Sequence, residues 1–267
     1  MKLISLNVGI KIDNNDKAAA FLVEQDADIL CLQEVVRHFD EGVLPQFQSK
    51  KAIDDAVAGR YPYRFFGPQW ISKGLDRSGG RHQDFGGFIE QDNYILSKFP
   101  LVAAENQHYQ YHYRLEIDHT RFAETDHPRS VVVATPDVHG TKLTVLNVHG
   151  CWSKEKGDME RSLKQSEYFI ETAKNIANPL LLVGDFNVAP NTKSISMLND
   201  VFENMIEKYG IASTLPNARG NLETAMLVDY IFTNKGIASQ SLKVIETDIS
   251  DHLPLMFEFN FDRARST

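Results

Sequence analysis

Apolar positions along the chain fall into two periods. Leu3-Ile4-Ser5-Leu6, Ile29-Leu30-Cys31-Leu32, Asn93 to Ser97, Lys142 to Val148 and Leu180 to Val183 are short apolar runs. Three more follow late, Met226 to Thr233, Ser241 to Thr247 and Leu253 to Phe259. Such runs predict strands, the unbroken ones covered on both faces. Tyr61 to Phe66 is an aromatic strand, and residues 101–136 hold two or three more. Helical spacing governs four stretches. The first runs from the capping pair Asp13-Asn14 to about Gln25, with Ala18, Phe21 and Leu22 on one face. The others are Glu41 to Val57, Gly157 to Ile176, and a stretch capped by Thr192 that runs to about Tyr209. Residues 67–92, with Ser78-Gly79-Gly80-Arg81, predict one long loop of the kind that carries function. Strands alternate with helices but also cluster without them, which predicts two sheets with helices outside. No repeat or linker interrupts the chain, so residues 1–267 read as a single domain with a frayed tail from Asp262.

Charge and composition narrow the classes. The chain has 28 basic and 36 acidic side chains, a net charge of −8, which argues against grip on nucleic acid by net charge alone. Hydrophobic residues at 42% and charged ones at 24% exclude wholesale disorder, collagen and coiled coil. The opening MKLISLNVG is broken by Ser5 and Asn7, unlike a signal peptide, and no run approaches the ~18 apolar residues of a membrane span. Cys31 sits in an apolar strand and Cys151 lacks the neighbours of a zinc site, so the thiols read as incidental and the compartment as cytoplasmic.

The apolar strands end in polar groups. Asn7, Gln33-Glu34, Asn147-Val148-His149 and Gly184-Asp185-Phe186-Asn187 each follow such a run; Asp229 lies inside one, and Ser250-Asp251-His252 precedes the last. Asn147 and His149, like Asp185 and Asn187, are two apart and face one side of an extended chain. Each has an ordinary reading: a turn cap, a surface acid, a structural histidine. Their shared placement at strand ends is what points to a site. Buried charge is costly unless paired or bound to metal. Glu34, Asp185, Asp229 and Asp251 with His149 and His252 offer oxygen ligands and proton-transfer groups, a set that suits Mg²⁺ or Mn²⁺ and phosphoryl chemistry.

In this order, Leu6-Asn7, Leu32-Gln33-Glu34-Val35, Ile95 to Pro100, Asn147-Val148-His149, Gly184 to Asn187, Asp229 to Phe232 and Ser250 to Pro254 resemble the motifs of the endonuclease/exonuclease/phosphatase superfamily of metal-dependent phosphoesterases. The resemblance implies a four-layer α/β/β/α sandwich, two mixed β-sheets packed face to face with helices outside. It implies that Glu34 holds Mg²⁺, helped by Asn7, with Asp251 near the metal. His252 would pair with Asp229 as general base or phosphate contact. Asp185 and Asn187 would orient or activate the attacking water, and His149 would contact the scissile phosphate. Whether Asp185 or His252 takes the water's proton stays open.

Substrate and partners are less marked. A histidine at position 149 resembles the sphingomyelinase-like, lipid-phosphatase and deadenylase-like branches more than the abasic-site nucleases. Residues 67–92 and 108–129 mix cations with aromatics, Arg77 and Arg81 among them, and these two are the expected substrate contacts. The expectation is a phosphodiesterase or phosphatase acting on a compact phosphorylated substrate. The alternative is a DNA or RNA nuclease. A third reading, an inactive binding module, predicts loss of Glu34, Asp185, Asn187, Asp229 or His252, and all five are present. Oligomeric state is unmarked.

Overall fold

Strand register divides the chain between two sheets, and alternation along each strand decides what its faces meet. The computed structural model describes residues 1–9, 15–73, 85–115, 127–215 and 226–262. In chain order the strands are β1 (Lys2–Asn7), β2 (Ile29–His38), β3 (Tyr63–Ser72), β4 (Ile89–Ser97), β5 (Leu101–Gln110), β6 (Arg129–Val138), β7 (Thr141–Lys142), β8 (Thr144–His149), β9 (Leu180–Asp185), β10 (Glu203–Asn204), β11 (Asp229–Thr233), β12 (Ile237–Val244) and β13 (Leu255–Phe261). The helices are α1 (Asn15–Gln25), α2 (Ser49–Ala56), α3 (Glu160–Lys174), α4 (Lys193–Asn199) and α5 (Met205–Lys208). One sheet runs β12-β13-β1-β2-β4-β3 and the other β10-β11-β9-β8-β6-β5, with β7 against β6.

Both sheets are mixed because each contains one parallel pair, β1 with β2 and β8 with β9. A parallel pair needs a crossover, and α1 and α3 supply them. On the outer face of the first sheet, Ile4, Leu6, Leu30, Leu32, Tyr94 and Leu96 cluster with Ala18, Leu22 and Ile53 of α1 and α2. Beyond the second sheet, Phe169 of α3 meets Phe186 at 5.8 Å, and Phe186 meets Tyr230 at 5.4 Å. The alternate positions face inward, so Leu3, Ile29, Cys31 and Ile95 join Val132, Val145, Val183 and Ile231 in the core between the sheets. The result is the expected α/β/β/α sandwich. Among the described residues no helix is long and apolar enough to cross a membrane.

Toward one end of that core, polar side chains replace apolar ones and bond the sheets to each other. Gln33 Nε2 donates to Asn147 Oδ1 at 2.6 Å, Asn147 Nδ2 to the Leu32 carbonyl at 2.9 Å, and Asn93 Nδ2 to the Ser130 carbonyl at 3.0 Å. Buried amides placed in this way fix the register between layers as well as within them.

Several element boundaries differ from the sequence reading. The helix expected over 41–57 is a short 3₁₀ turn, Pro45–Phe47, followed by α2. Pro45 lacks the N–H that a helix begun at Glu41 needs. The helix expected from Thr192 to Tyr209 is broken after Asn199. Glu203 and Asn204 pair with β11, and Asn204 Oδ1 then caps α5 by accepting from Ile206 N at 3.0 Å. The loop expected over 67–92 is strand at both ends, because Gly67 to Ser72 pair with Asn93 to Ile89. The late strands also begin elsewhere than expected, at Asp229, Ile237 and Leu255. Thr192 caps α4 as read, accepting from Ile195 N at 3.4 Å. Asp13 and Asn14 lie outside the described residues.

Candidate active site

The polar strand ends converge where the inner face of the sandwich opens. β2 does not stop at Gln33-Glu34. Its register against β4 shifts between Leu32 and Val35, so two residues oppose Asn93 alone. That is a bulge, and Glu34 takes φ +56, a left-handed backbone that re-aims its side chain. In the second sheet His149, Asp185 and Asp229 stand side by side: His149 is in register with Asp185, and Asp185 with Asp229. Gly184 allows this close pairing, since a Cβ there would lie 2.1 Å from the Val148 carbonyl oxygen.

Two histidine–acid pairs face the same carboxylate. His252 Nδ1 is 2.9 Å from Asp229 Oδ2, and its Nε2 is 3.8 Å from Asp185 Oδ2. His149 Nδ1 is 2.9 Å from both oxygens of Asp92, while its Nε2 is 3.9 Å from Asp185 Oδ2 and 3.6 Å from Glu34 Oε1. Asn7 joins the acids: its Nδ2 donates to Glu34 Oε1 at 3.2 Å and to Asp185 Oδ2 at 3.1 Å, and its Oδ1 accepts from Gly9 N at 2.9 Å. Asn187 donates its backbone N–H to Asp185 Oδ1 at 2.8 Å and its amide to Asp185 Oδ2 at 3.1 Å. Ser250 Oγ donates to the Asn7 carbonyl at 2.6 Å, which ties the segment carrying Asp251 and His252 to the end of β1. Asp251 itself is exposed, at the rim.

Electrostatics sort these groups. Burial opposes charge on His252, but Asp229 and Asp185 outweigh it and raise its pKa to about 10. Burial likewise opposes charge on His149, and Asp92 reverses this, so its pKa is also raised. Burial pushes the Asp229 carboxyl up against the pull of His252. Burial also acts on Asp185, yet His252, His149 and Lys156 together hold its carboxyl below the ordinary value. Thus the site sets two histidine–acid pairs around the Asp185 carboxylate, and the acids beside both rings favour their charged form.

This gives a stability test. A pKa raised in the folded state stabilises fully below the unfolded value and is lost as pH rises through the folded one. In excess chelator, the unfolding free energy should fall as pH rises from about 6.5 toward 10, and His252→Gln should flatten that fall. Parallel profiles for the two proteins would contradict the coupling.

The structure thus brings together Asn7, Glu34, His149, Asp185, Asn187, Asp229 and His252, with Asp251 at their edge. Arg77 and Arg81 lie outside the described residues, as do Ser78 to Gly80. Three further residues belong to the cluster. Asp92, 1% exposed, orients His149. Arg129 Nη1 lies 3.4 Å from His149 Nδ1 and donates to Gln69 Oε1 at 3.2 Å. Lys156 donates from Nζ to Asn187 Oδ1. Asp92-Asn93 is one more polar pair beside an apolar run, Tyr94-Ile95-Leu96, and the loop assigned to 67–92 hides it. Lys154-Glu155-Lys156 carries no such signal and looks like solvated charge.

The donor set fits a hard divalent cation. Glu34 keeps a 23% exposed carboxylate beside that of Asp185, and the Asn7 amide gathers both. Asp185, Asp229 and His252 also offer ligand atoms within 4.8 Å of one another. In that trio the His252 Nδ1 is already held by Asp229, and the pair is charged, so it suits proton handling better than a cation.

Comparison with known proteins agrees with this geometry. Residues 4–252 match the profile of the Endonuclease/Exonuclease/phosphatase family. Among solved structures, an endonuclease/exonuclease/phosphatase from Beutenbergia cavernae superposes with TM-score 0.74 at 16% identity, covering 98% of this chain and 71% of that one. A mannosyl-6-phosphatase from Bacteroides thetaiotaomicron gives TM-score 0.65 at 16% identity, covering 98% of this chain and 100% of the other. TDP2 from Caenorhabditis elegans gives 0.63 at 16% identity, covering 96% and 74%. No curated protein sequence matches the chain.

Proposed function

The chain belongs to the endonuclease/exonuclease/phosphatase family, and from that premise we propose a Mg²⁺-dependent hydrolase, a single domain over 1–267, that cleaves a phosphoester of a compact substrate by in-line attack of water. The family's members are phosphoesterases that generally use a divalent metal. The observation that carries the finer reading is the convergence of two histidine–acid pairs on Asp185 beside Glu34. Mg²⁺, or Mn²⁺, held by Glu34 with Asn7 and Asp251 at its edge, would neutralise phosphate charge. His252, protonated at neutral pH, and His149, whose Nδ1 is held by Asp92, present Nε2–H donors to the phosphoryl oxygens. Asp185, ionised and fixed by two hydrogen bonds from Asn187, orients the water and accepts its proton. Since His252 carries its proton at working pH, this reading assigns the base to Asp185.

Arg77 and Arg81 complete the proposal as substrate contacts, and a cytoplasmic location accords with two free cysteines. The net charge of −8 supports a small substrate over a long polymer. A hydrolysis panel with Mg²⁺ decides: phosphomonoesters, a generic phosphodiester, phospholipids, and single- and double-stranded nucleic acids. Turnover of a compact ester with little salt dependence is expected, and Arg77→Ala or Arg81→Ala should mainly raise KM. Tight binding of long duplex DNA with a log–log salt slope of about five or more would replace this reading with a nuclease.

A further inference from the structure

Among the described residues, Lys156 is a cation without an ion-paired carboxylate in a site rich in acids. It is 7% exposed. Its ammonium donates to the neutral Asn187 Oδ1 and lies 5.0 Å from the centre of the Trp152 ring. No described carboxylate forms an ion pair with it. An ammonium has three donors, and burying it without a paired charge is costly. The fold nevertheless holds it there. Lys156 sits at φ +52, a backbone costly for a residue with a side chain, and its carbonyl accepts from Ala189 N at 2.7 Å. Two residues on, Asp158 accepts from Lys193 N and Ser194 N at 2.7 and 2.9 Å, so the segment is anchored at the start of α4. Burial, with Arg129, lowers the pKa of the ammonium against the pull of Asp185, Glu34 and Asp229, which locates it in the field of the site. Trp152, the ring beside the ammonium, is 36% exposed.

Strained backbone and an unpaired buried charge are tolerated where the missing partner is a ligand. Building on the phosphoesterase reading, we propose that Lys156 is a substrate-contacting residue: its free N–H groups take a non-bridging oxygen of the scissile phosphoryl group, while its bond to Asn187 Oδ1 turns that amide toward Asp185. Lysine serves as a point charge for phosphate, and the Trp152 ring lies within cation–π range of the ammonium.

The test uses inorganic phosphate as the probe, measured by calorimetry with Mg²⁺ present, alongside steady-state kinetics on a substrate from the panel. Lys156→Met should weaken phosphate binding about thirtyfold and lower kcat/KM by a similar factor. The control, Lys164→Met, removes an equal charge from an exposed pair with Glu160 and should change neither. Lys156→Met should leave the melting temperature unchanged or raise it, because it removes a buried charge. A clear fall would make the lysine structural and overturn the proposal. In an Asn187→Ala background, where the amide bond is already gone, Lys156→Met should still weaken phosphate binding. No further loss there would reduce the lysine to positioning Asn187 and overturn the contact. Wild-type turnover with Lys156→Met indistinguishable from Lys164→Met sinks this inference alone. A wild type that binds phosphate through Lys156 yet hydrolyses nothing sinks the phosphoesterase reading and leaves this one standing.

Discussion

Glu34→Gln should lower turnover by on the order of a thousandfold and abolish the response to added Mg²⁺, while the protein melts within a few degrees of wild type. The substitution keeps shape and removes charge. Asn7 Nδ2 can still donate to the retained carbonyl oxygen of residue 34, as it does to Oε1 now at 3.2 Å. The backbone bulge needs only the left-handed φ of position 34, which glutamine adopts at the same cost as glutamate. What disappears is one negative charge at the most open acid of the buried cluster, and a hard cation binds through such charge. Metal affinity read by calorimetry should fall with turnover. Undiminished hydrolysis by Glu34→Gln, or by wild type in excess chelator, would remove the metal assignment.

The same residue shows how far the sequence carries the site. That Glu34 follows an apolar run is visible in the chain, and this placement marks it. That β2 continues beyond it through a bulge is not visible, because Val35-Val36 reads equally well as a new element. Alternation told correctly that Asn147 and His149 share a face, and register with β9 then brought His149 beside Asp185. Asp92 was obscured for a different reason. Glu90, Gln91 and Asp92 are 5%, 5% and 1% exposed, yet they are polar residues without the period of a half-buried strand. Their burial is satisfied by partners far away in sequence, His149 for Asp92 and Arg37 for Glu90. Lys156 lies at the limit of such reading. Nothing local distinguishes a solvated lysine from one folded under a tryptophan ring; the distinction comes from Ala189 and Asp158 anchoring the segment.

Asp229→Asn and His252→Ala should each slow turnover by on the order of a hundredfold or more, and the double variant should lose little beyond the worse single one. The two side chains form one device. Asp229 Oδ2, 2.9 Å from His252 Nδ1, fixes the ring so that Nε2 points toward Asp185, and its charge keeps the ring protonated. Asparagine can occupy the same space and accept the same hydrogen bond, but it supplies no charge, so the ring should lose its proton at a lower pH. Alanine at 252 removes the ring, after which the charge of Asp229 has nothing to tune and sits buried without its charged partner. Non-additivity therefore follows from the geometry and not merely from proximity. The pH profile separates this from loss of structure: Asp229→Asn should bring the alkaline fall in rate to lower pH, whereas a purely structural defect scales the whole profile. If the two single losses multiply, to about ten thousandfold in the double variant, Asp229 and His252 act independently and the pairing does not carry the chemistry.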